Sequence, residues 1–224
     1  MIAYAARTGT LRNLAALRGA GWRIMVSARG MVRSEGFAYA IDNGAWTAFL
    51  EWKNGKAASN FLDLAAFEKA VAKLGNGADF IVAPDIVEGG LDSLELSLSW
   101  VRRLRRRRQL RGVRLMIAVQ DGMERGQMLG RIKRSIGPAT GIFVGGSDLF
   151  KETTLALWVG IARPRGAQVH VGRVNTARRI RLCAAAGVDS LDGSSASRFA
   201  VTLPPLDFAI RQLDFEGYLS RAAA

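Results

Sequence analysis

The chain is poor in the residues that most often announce chemistry. It has one cysteine, Cys183, and one histidine, His170. A single thiol forms no disulfide within the chain, and a cysteine-rich zinc site is excluded with it. Cys183 lies in an Ala-rich stretch and reads as a packing residue. The lone histidine sits inside an apolar run that ends at Val171-Gly172, which suits a structural or substrate-orienting role better than that of a triad base. No apolar run is long enough to span a bilayer, and Met1 opens no cationic-then-apolar leader. The expected compartment is the cytoplasm, with no membrane partner. Acidic residues are scarce as well: 19 Asp and Glu against 32 Lys and Arg leave a formal charge of +13. Such an excess favours a polyanionic partner, because basic side chains release counterions from phosphates. A basic protein that binds nothing is the lesser alternative, since charge alone carries no specificity.

What is present suffices for one well-cored domain covering 1–224, with 49% of residues hydrophobic. Short β-type runs recur at Ile2–Ala6, Arg23–Ser27, Phe37–Ile41, Asp79–Ala83, Val113–Val119, Gly141–Val144, Gln168–Val171 and Val188–Leu191. Several are apolar throughout, as strands buried on both faces of a parallel sheet must be. Helical segments are expected at Thr10–Gly19, Leu64–Leu74, Leu91–Gln109, Met123–Ile136, Lys151–Arg163, Thr176–Ala186 and Leu206–Leu213. Leu91, Leu94, Leu98, Val101 and Leu104 form one stripe of the third. Asp63 and Asn175 are expected N-caps, and Gly187 a C-terminal stop. The pattern predicts an α/β fold, an irregular (β/α)8 TIM-type barrel whose second-to-third strand connection is too short and polar for a helix. An open doubly wound sheet is the other architecture it allows.

Polar residues stand where the apolar strands stop: Asp42-Asn43-Gly44, Pro84-Asp85, Gln120-Asp121-Gly122, Gly145-Gly146-Ser147, Gly172-Arg173 and Asp192-Gly193-Ser194. In a parallel β/α fold these ends share one face, so carboxylates, an amide and a glycine pair converge on one pocket. A single such aspartate is often only a turn or helix cap. Three at separate strand ends point to an enzyme. Carboxylates without a metal cluster suit glycosyl transfer, one attacking an anomeric carbon while another handles protons. Divalent-metal hydrolysis by Asp42, Asp85 and Asp121 is the competing use of the same groups.

At these strand ends the chain resembles the tRNA-guanine transglycosylase superfamily, and most closely its phage and bacterial branch that places 7-deazaguanines in DNA (the DpdA family). The likeness runs from Ala38 to Phe199. It rests on Ile41-Asp42-Asn43-Gly44-Ala45-Trp46, Val82-Ala83-Pro84-Asp85, Ala118-Val119-Gln120-Asp121-Gly122, Phe143-Val144-Gly145-Gly146-Ser147, His170-Val171-Gly172-Arg173-Val174-Asn175 and Asp189-Ser190-Leu191-Asp192-Gly193-Ser194, followed by Ser197-Arg198-Phe199. The resemblance implies that Asp192 is the nucleophile and Asp42 the proton-transfer group. It implies that Asp85 and Gln120 hold the two edges of the base, and that the backbone of Gly145 and Gly146 approaches the base closely. It implies no metal and no organic cofactor, DNA as polymer with RNA as the alternative, and a free 7-deazaguanine as co-substrate. Two departures separate the chain from the tRNA enzymes. Their zinc insert of three cysteines and a histidine has no counterpart, and their Gly-Phe-Gln continuation is Ala45-Trp46-Thr47. A non-catalytic nucleic-acid-binding barrel is a further reading.

A base inside a duplex has to be flipped, or be single-stranded already, to reach a pocket floor. Arg7, Arg29, Arg33, Arg173 and Arg198 follow strands or lie in strand-end loops, and Arg173 and Arg198 are the preferred phosphate contacts. Trp46 is either a base-stacking platform or a core tryptophan. Eight arginines crowd between Arg102 and Arg114. They follow a crossover helix, and such helices run back from the site face. The run therefore reads first as a solvated surface that complements a helix dipole, and second as a nonspecific DNA contact or an assembly face.

Overall fold

The computed structural model describes the backbone of residues 1–198 and 201–222, with side chains described through 212. Phe199 therefore lies outside the described residues. Eight parallel strands close into a barrel in chain order: β1 (Ile2–Ala6), β2 (Arg23–Ser27), β3 (Tyr39–Asp42), β4 (Phe80–Val82), β5 (Arg114–Val119), β6 (Thr140–Val144), β7 (Val169–Val171) and β8 (Ser190–Gly193). The pairing of β1 with β8, Tyr4 opposite Asp192, rules out the open doubly wound sheet. Around the strands lie α1 (Leu11–Gly19), α2 (Ala45–Lys53), α3 (Leu64–Leu74), α4 (Gly90–Arg105), α5 (Gly126–Ser135), α6 (Asp148–Ala162), α7 (Ala177–Ala185), the single turn α8 (Ser195–Arg198) and α9 (Leu203–Ala222).

Two-residue alternation along each strand decides what faces where. On β5, Leu115, Ile117 and Val119 point outward into the layer shared with the helices, and Met116 points inward. Tyr4, Met25, Ala40, Phe80 and Val82 fill the barrel interior with it, and Phe143 packs against them. Gly141 makes room for this layer, because a Cβ there would stand 2.4 Å from Met116 Sδ. Below, Tyr4 Oη donates to Asp79 Oδ2 at 2.9 Å and Arg23 pairs with Asp79 at 3.0 Å, closing the N-terminal end.

The irregularity falls where expected, between β2 and β3, which no helix bridges. The compensating helix does not belong to the expected set. The β3-to-β4 connection carries both α2 and α3, and α2 buries Ala45, Ala48 and Phe49 at helical spacing. Asp63 caps α3 through Ala66 N at 2.9 Å. The α7 cap is Thr176 rather than Asn175, since Asn175 Oδ1 instead accepts from Ser195 N at 2.9 Å. Gly187, at φ +78°, follows α7 as its stop. Helix α4 gives way to a separate turn at Arg108–Leu110, short of a continuous helix to Gln109. Among the described residues no helix is long and apolar enough to cross a membrane. Cys183 is buried, and burial pushes its thiol up to about 12, in keeping with packing.

Candidate active site

The C-terminal strand ends surround a cavity of about 610 Å³, within the size range of ligand pockets. Asp42, Asp85, Gln120, Gly145, Gly146, Arg173, Asp192, Trp46 and Arg198 all line it. The parity that buries Ala40 and Ser190 inside the barrel carries Asp42 and Asp192, two residues further on, to the cavity floor. On β7 the same parity turns His170 inward, where it is fully buried.

His170 stacks on Phe143, with centroids 5.1 Å apart and planes at 20°, and meets Tyr4 and Phe80 at its edges. Its Nδ1 lies 2.8 Å from Ser190 Oγ and its Nε2 lies 3.0 Å from Asp192 Oδ1. A carboxylate only accepts, so Nε2 carries the proton and donates it to Asp192, while Nδ1 accepts from the Ser190 hydroxyl. That chain fixes Oδ1 of Asp192 and leaves Oδ2 for the cavity. His170 is thus placed to orient Asp192, and Ser190, buried and off the cavity, is no triad nucleophile for it.

Across the floor, Asp42 Oδ2 accepts from Gly44 N at 3.1 Å. Burial, with the charges of Asp192 and Asp85 adding to it, pushes the Asp42 carboxyl up to about 7 against the amides of Gly44 and Asn43. Burial likewise raises Asp85 to about 6, opposed by Asn43. Asn43 itself is buried, donates to Asp85 Oδ1 and to Ala83 O at 2.7 Å each, and accepts from Ala45 N at 2.8 Å. It joins β3, β4 and the start of α2, and so holds Asp42 and Asp85 at a fixed spacing. The sequence named Asn43 only as part of a motif, and an amide beside an acid at a strand end was the available signal.

Gln120 differs from expectation. Its Nε2 donates to Ile86 O and to Ser93 Oγ, both at 2.8 Å, and its Oε1 accepts from Glu88 N at 2.6 Å. Both amide hydrogens are committed to the loop after β4 and the start of α4. Gln120 shapes the pocket by fixing that loop, with one lone pair of Oε1 left over. The glycine pair lines the cavity, with one of its amides already committed. Gly145 N is bonded to Val119 O at 2.9 Å. Gly146 sits at φ +72°, and a Cβ on it would stand 2.5 Å from Asp121 Oδ2. Packing and backbone conformation therefore account for Gly146 without a ligand.

Asp121 turns away to Ser147, accepting from its hydroxyl at 2.5 Å and from its amide at 2.7 Å. It does not line the cavity. Among the described residues no three His, Cys, Asp or Glu side chains group as metal ligands, so Asp42, Asp85 and Asp121 form no such set.

The rim is arginine and tryptophan. Arg173, at φ +59°, lays its guanidinium 3.8 Å from the centre of the Trp46 ring and donates to Gly146 O. Burial holds Arg173 below its ordinary value, against the pull of Asp148, Asp192 and Asp121. Trp46 is 38% exposed and packs on Phe49 at 5.4 Å, so it is a wall of the mouth and no core residue. Arg198 is exposed at the same mouth. Arg7 pairs with Glu35 at 2.8 Å and Arg29 with Glu51 at 2.7 Å, and Arg7, Arg29 and Arg33 lie off the cavity. Two further lining groups carried no sequence signal: Arg179, held by Asp148 at 2.7 Å, and Ser27, whose buried Oγ has no hydrogen-bond partner among the described residues.

Fold and site together define a (β/α)8 barrel with a carboxylate floor and a cationic, aromatic rim. The chain matches no protein-family model and no curated protein.

Proposed function

We propose that this protein is a guanine transglycosylase that exchanges guanine in DNA for a free 7-deazaguanine. The observation that carries the reading is the placement of Asp192, held by His170 at one oxygen, and Asp42, whose carboxyl is pushed up to about 7, on the same cavity floor. The strand-end motifs that resemble the transglycosylases contribute both groups.

In this reading Oδ2 of Asp192 attacks C1′ as the bond from C1′ to N9 of guanine breaks. Asp42 gives its proton to the departing guanine, which leaves neutral. A glycosyl ester on Asp192 remains. N9 of the incoming base then attacks C1′, its proton passes to Asp42, and the Asp192 carboxylate is released. Two inversions at one carbon retain configuration. The steps balance without metal or organic cofactor. Asp85, with one oxygen tied by Asn43, has the other for the N–H edge of the base. Trp46 and Arg173 flank the flipped nucleotide, and Arg198 meets a neighbouring phosphate.

The deciding experiment incubates the protein with single-stranded and duplex DNA, and with RNA of matched sequence, beside a 7-deazaguanine. Nucleosides are then analysed by mass. Incorporation into DNA is the expected result. Incorporation into RNA alone reassigns the polymer, and incorporation into none of them by folded protein removes the proposal.

His170 supplies a separate check. His170→Phe keeps the stack on Phe143 but removes the donor to Asp192, and kcat/KM for exchange is expected to fall about 10–100-fold. His170→Gln, which still carries an N–H donor, is expected to recover part of that loss. Equal activity in the two variants would deny the histidine its orienting role.

A further inference from the structure

We propose that the arginine-rich face at the N-terminal end of the barrel binds nucleic-acid backbone, as a surface separate from the cavity. Arg102–Arg114 closes α4 and enters β5, so it lies at the opposite end of the strands from Asp42 and Asp192. The last turn of α5 and the short turn Arg163–Arg165 that follows α6 reach the same end and add Arg134, Arg163 and Arg165.

A merely solvated surface interleaves both signs of charge. This one does not. Arg103 and Arg107 share Glu68. The other anchored guanidiniums rest on neutral acceptors. Arg105 donates to Thr140 Oγ1, and Arg114 to Gln168 Oε1 at 2.6 Å. Arg165 donates to Lys133 O at 3.0 Å and Ile161 O at 2.9 Å. A neutral acceptor orients a guanidinium and leaves its charge standing. Arg106, Arg108, Arg111 and Arg134 are exposed around them. Helix α4 already carries Arg102, Arg103 and Arg105 in its last turn, so its dipole accounts for only part of this charge.

The kind of partner follows from what the face lacks. Protein partners anchor through large buried apolar or aromatic groups. None of the large exposed apolar side chains among the described residues lies in Arg102–Arg114, in the last turn of α5 or at Arg163–Arg165. Phosphate backbone needs only charge, and duplex DNA presents one negative charge per about 1.7 Å. Recognition here is of backbone, without sequence. Because the face points away from the cavity, it holds a different stretch of polymer from the one the cavity receives.

The test measures fluorescence anisotropy of a labelled mixed-sequence DNA duplex across a salt series. The comparison sets the parent beside a variant carrying Arg106→Gln, Arg108→Gln, Arg111→Gln and Arg134→Gln. The slope of log Kd against log salt is expected to fall by about 3–4, close to 0.9 for each phosphate that is no longer neutralised. Lysine at the same four positions is expected to restore it, and Lys69→Gln with Arg181→Gln, on other helices, to leave it unchanged. A parental slope in the four-glutamine variant overturns the proposal. So does displacement of the duplex by polyglutamate as effectively as by unlabelled duplex of equal charge, which would mark an acidic protein as the partner.

Discussion

Asp192→Asn is expected to lower base exchange by at least about 10⁴-fold, because the amide is no nucleophile and no other group stands in its place. The fold should be indifferent to the change. The asparagine oxygen can still accept from His170 Nε2, and Ser190 keeps its own bond to the ring. Melting temperature and polymer affinity are therefore expected to stay near those of the parent. Quenching the parent during turnover should yield protein heavier by one deoxyribosyl-linked strand, and the variant should yield none. Retention of a tenth of the activity by Asp192→Asn would place the covalent chemistry elsewhere.

Asp42→Asn is expected to cost exchange about 10²–10³-fold and to change its pH profile. Under the proposed mechanism the acid form of Asp42 donates the proton, so the rate should fall about tenfold per pH unit once pH passes about 7. An asparagine has no proton to lose, and the residual rate should lose that alkaline limb. Stability should move the other way. The folded value of about 7 lies above the ordinary 3.8, so the neutral carboxyl suits the fold and stability is lost as pH climbs from about 4 through about 7. Asp42→Asn escapes that loss. It is expected to be more stable than the parent at pH 8, by up to about 4 kcal/mol, with the difference largely gone near pH 4. Thermal melts at the two pH values measure it, and a destabilised variant at pH 8 would contradict the assignment. A group that weakens the fold while serving the reaction is expected of active sites.

The barrel was legible because parallel strands buried on both faces write themselves as apolar runs, and all eight are present, with ends shifted by a few residues. Helix α2 was not legible. Between Asp42 and Lys53, Ala, Trp, Phe and Leu fall on every side, with Trp46 and Leu50 facing the cavity while Ala48 and Phe49 face the core. A helix serving two apolar surfaces has no polar stripe to reveal its period. The strand-end rule gathered Asp42, Asp85 and Asp192 correctly, yet it offered no means to tell them from Asp121, whose position in sequence is equivalent. Only the third dimension turns Asp121 toward Ser147. Gln120 makes the same point, since an amide at a strand end can address a ligand or its own neighbouring loop, and its partners Ile86, Glu88 and Ser93 are far from it in sequence. Arg179 entered the site from a helix and not from a strand end, beyond the reach of that rule.

The layer of Tyr4, Phe80, Met116 and His170, sealed below by Asp79 and Arg23, makes the barrel a blind well. Nothing drains through it. Under the proposed exchange, the expelled purine has to climb out past a strand still tethered by its sugar, and the replacement has to descend by that same route. Departure of one base must precede arrival of the next. Such traffic gives parallel double-reciprocal lines, with each free base competing for the vacancy the other leaves.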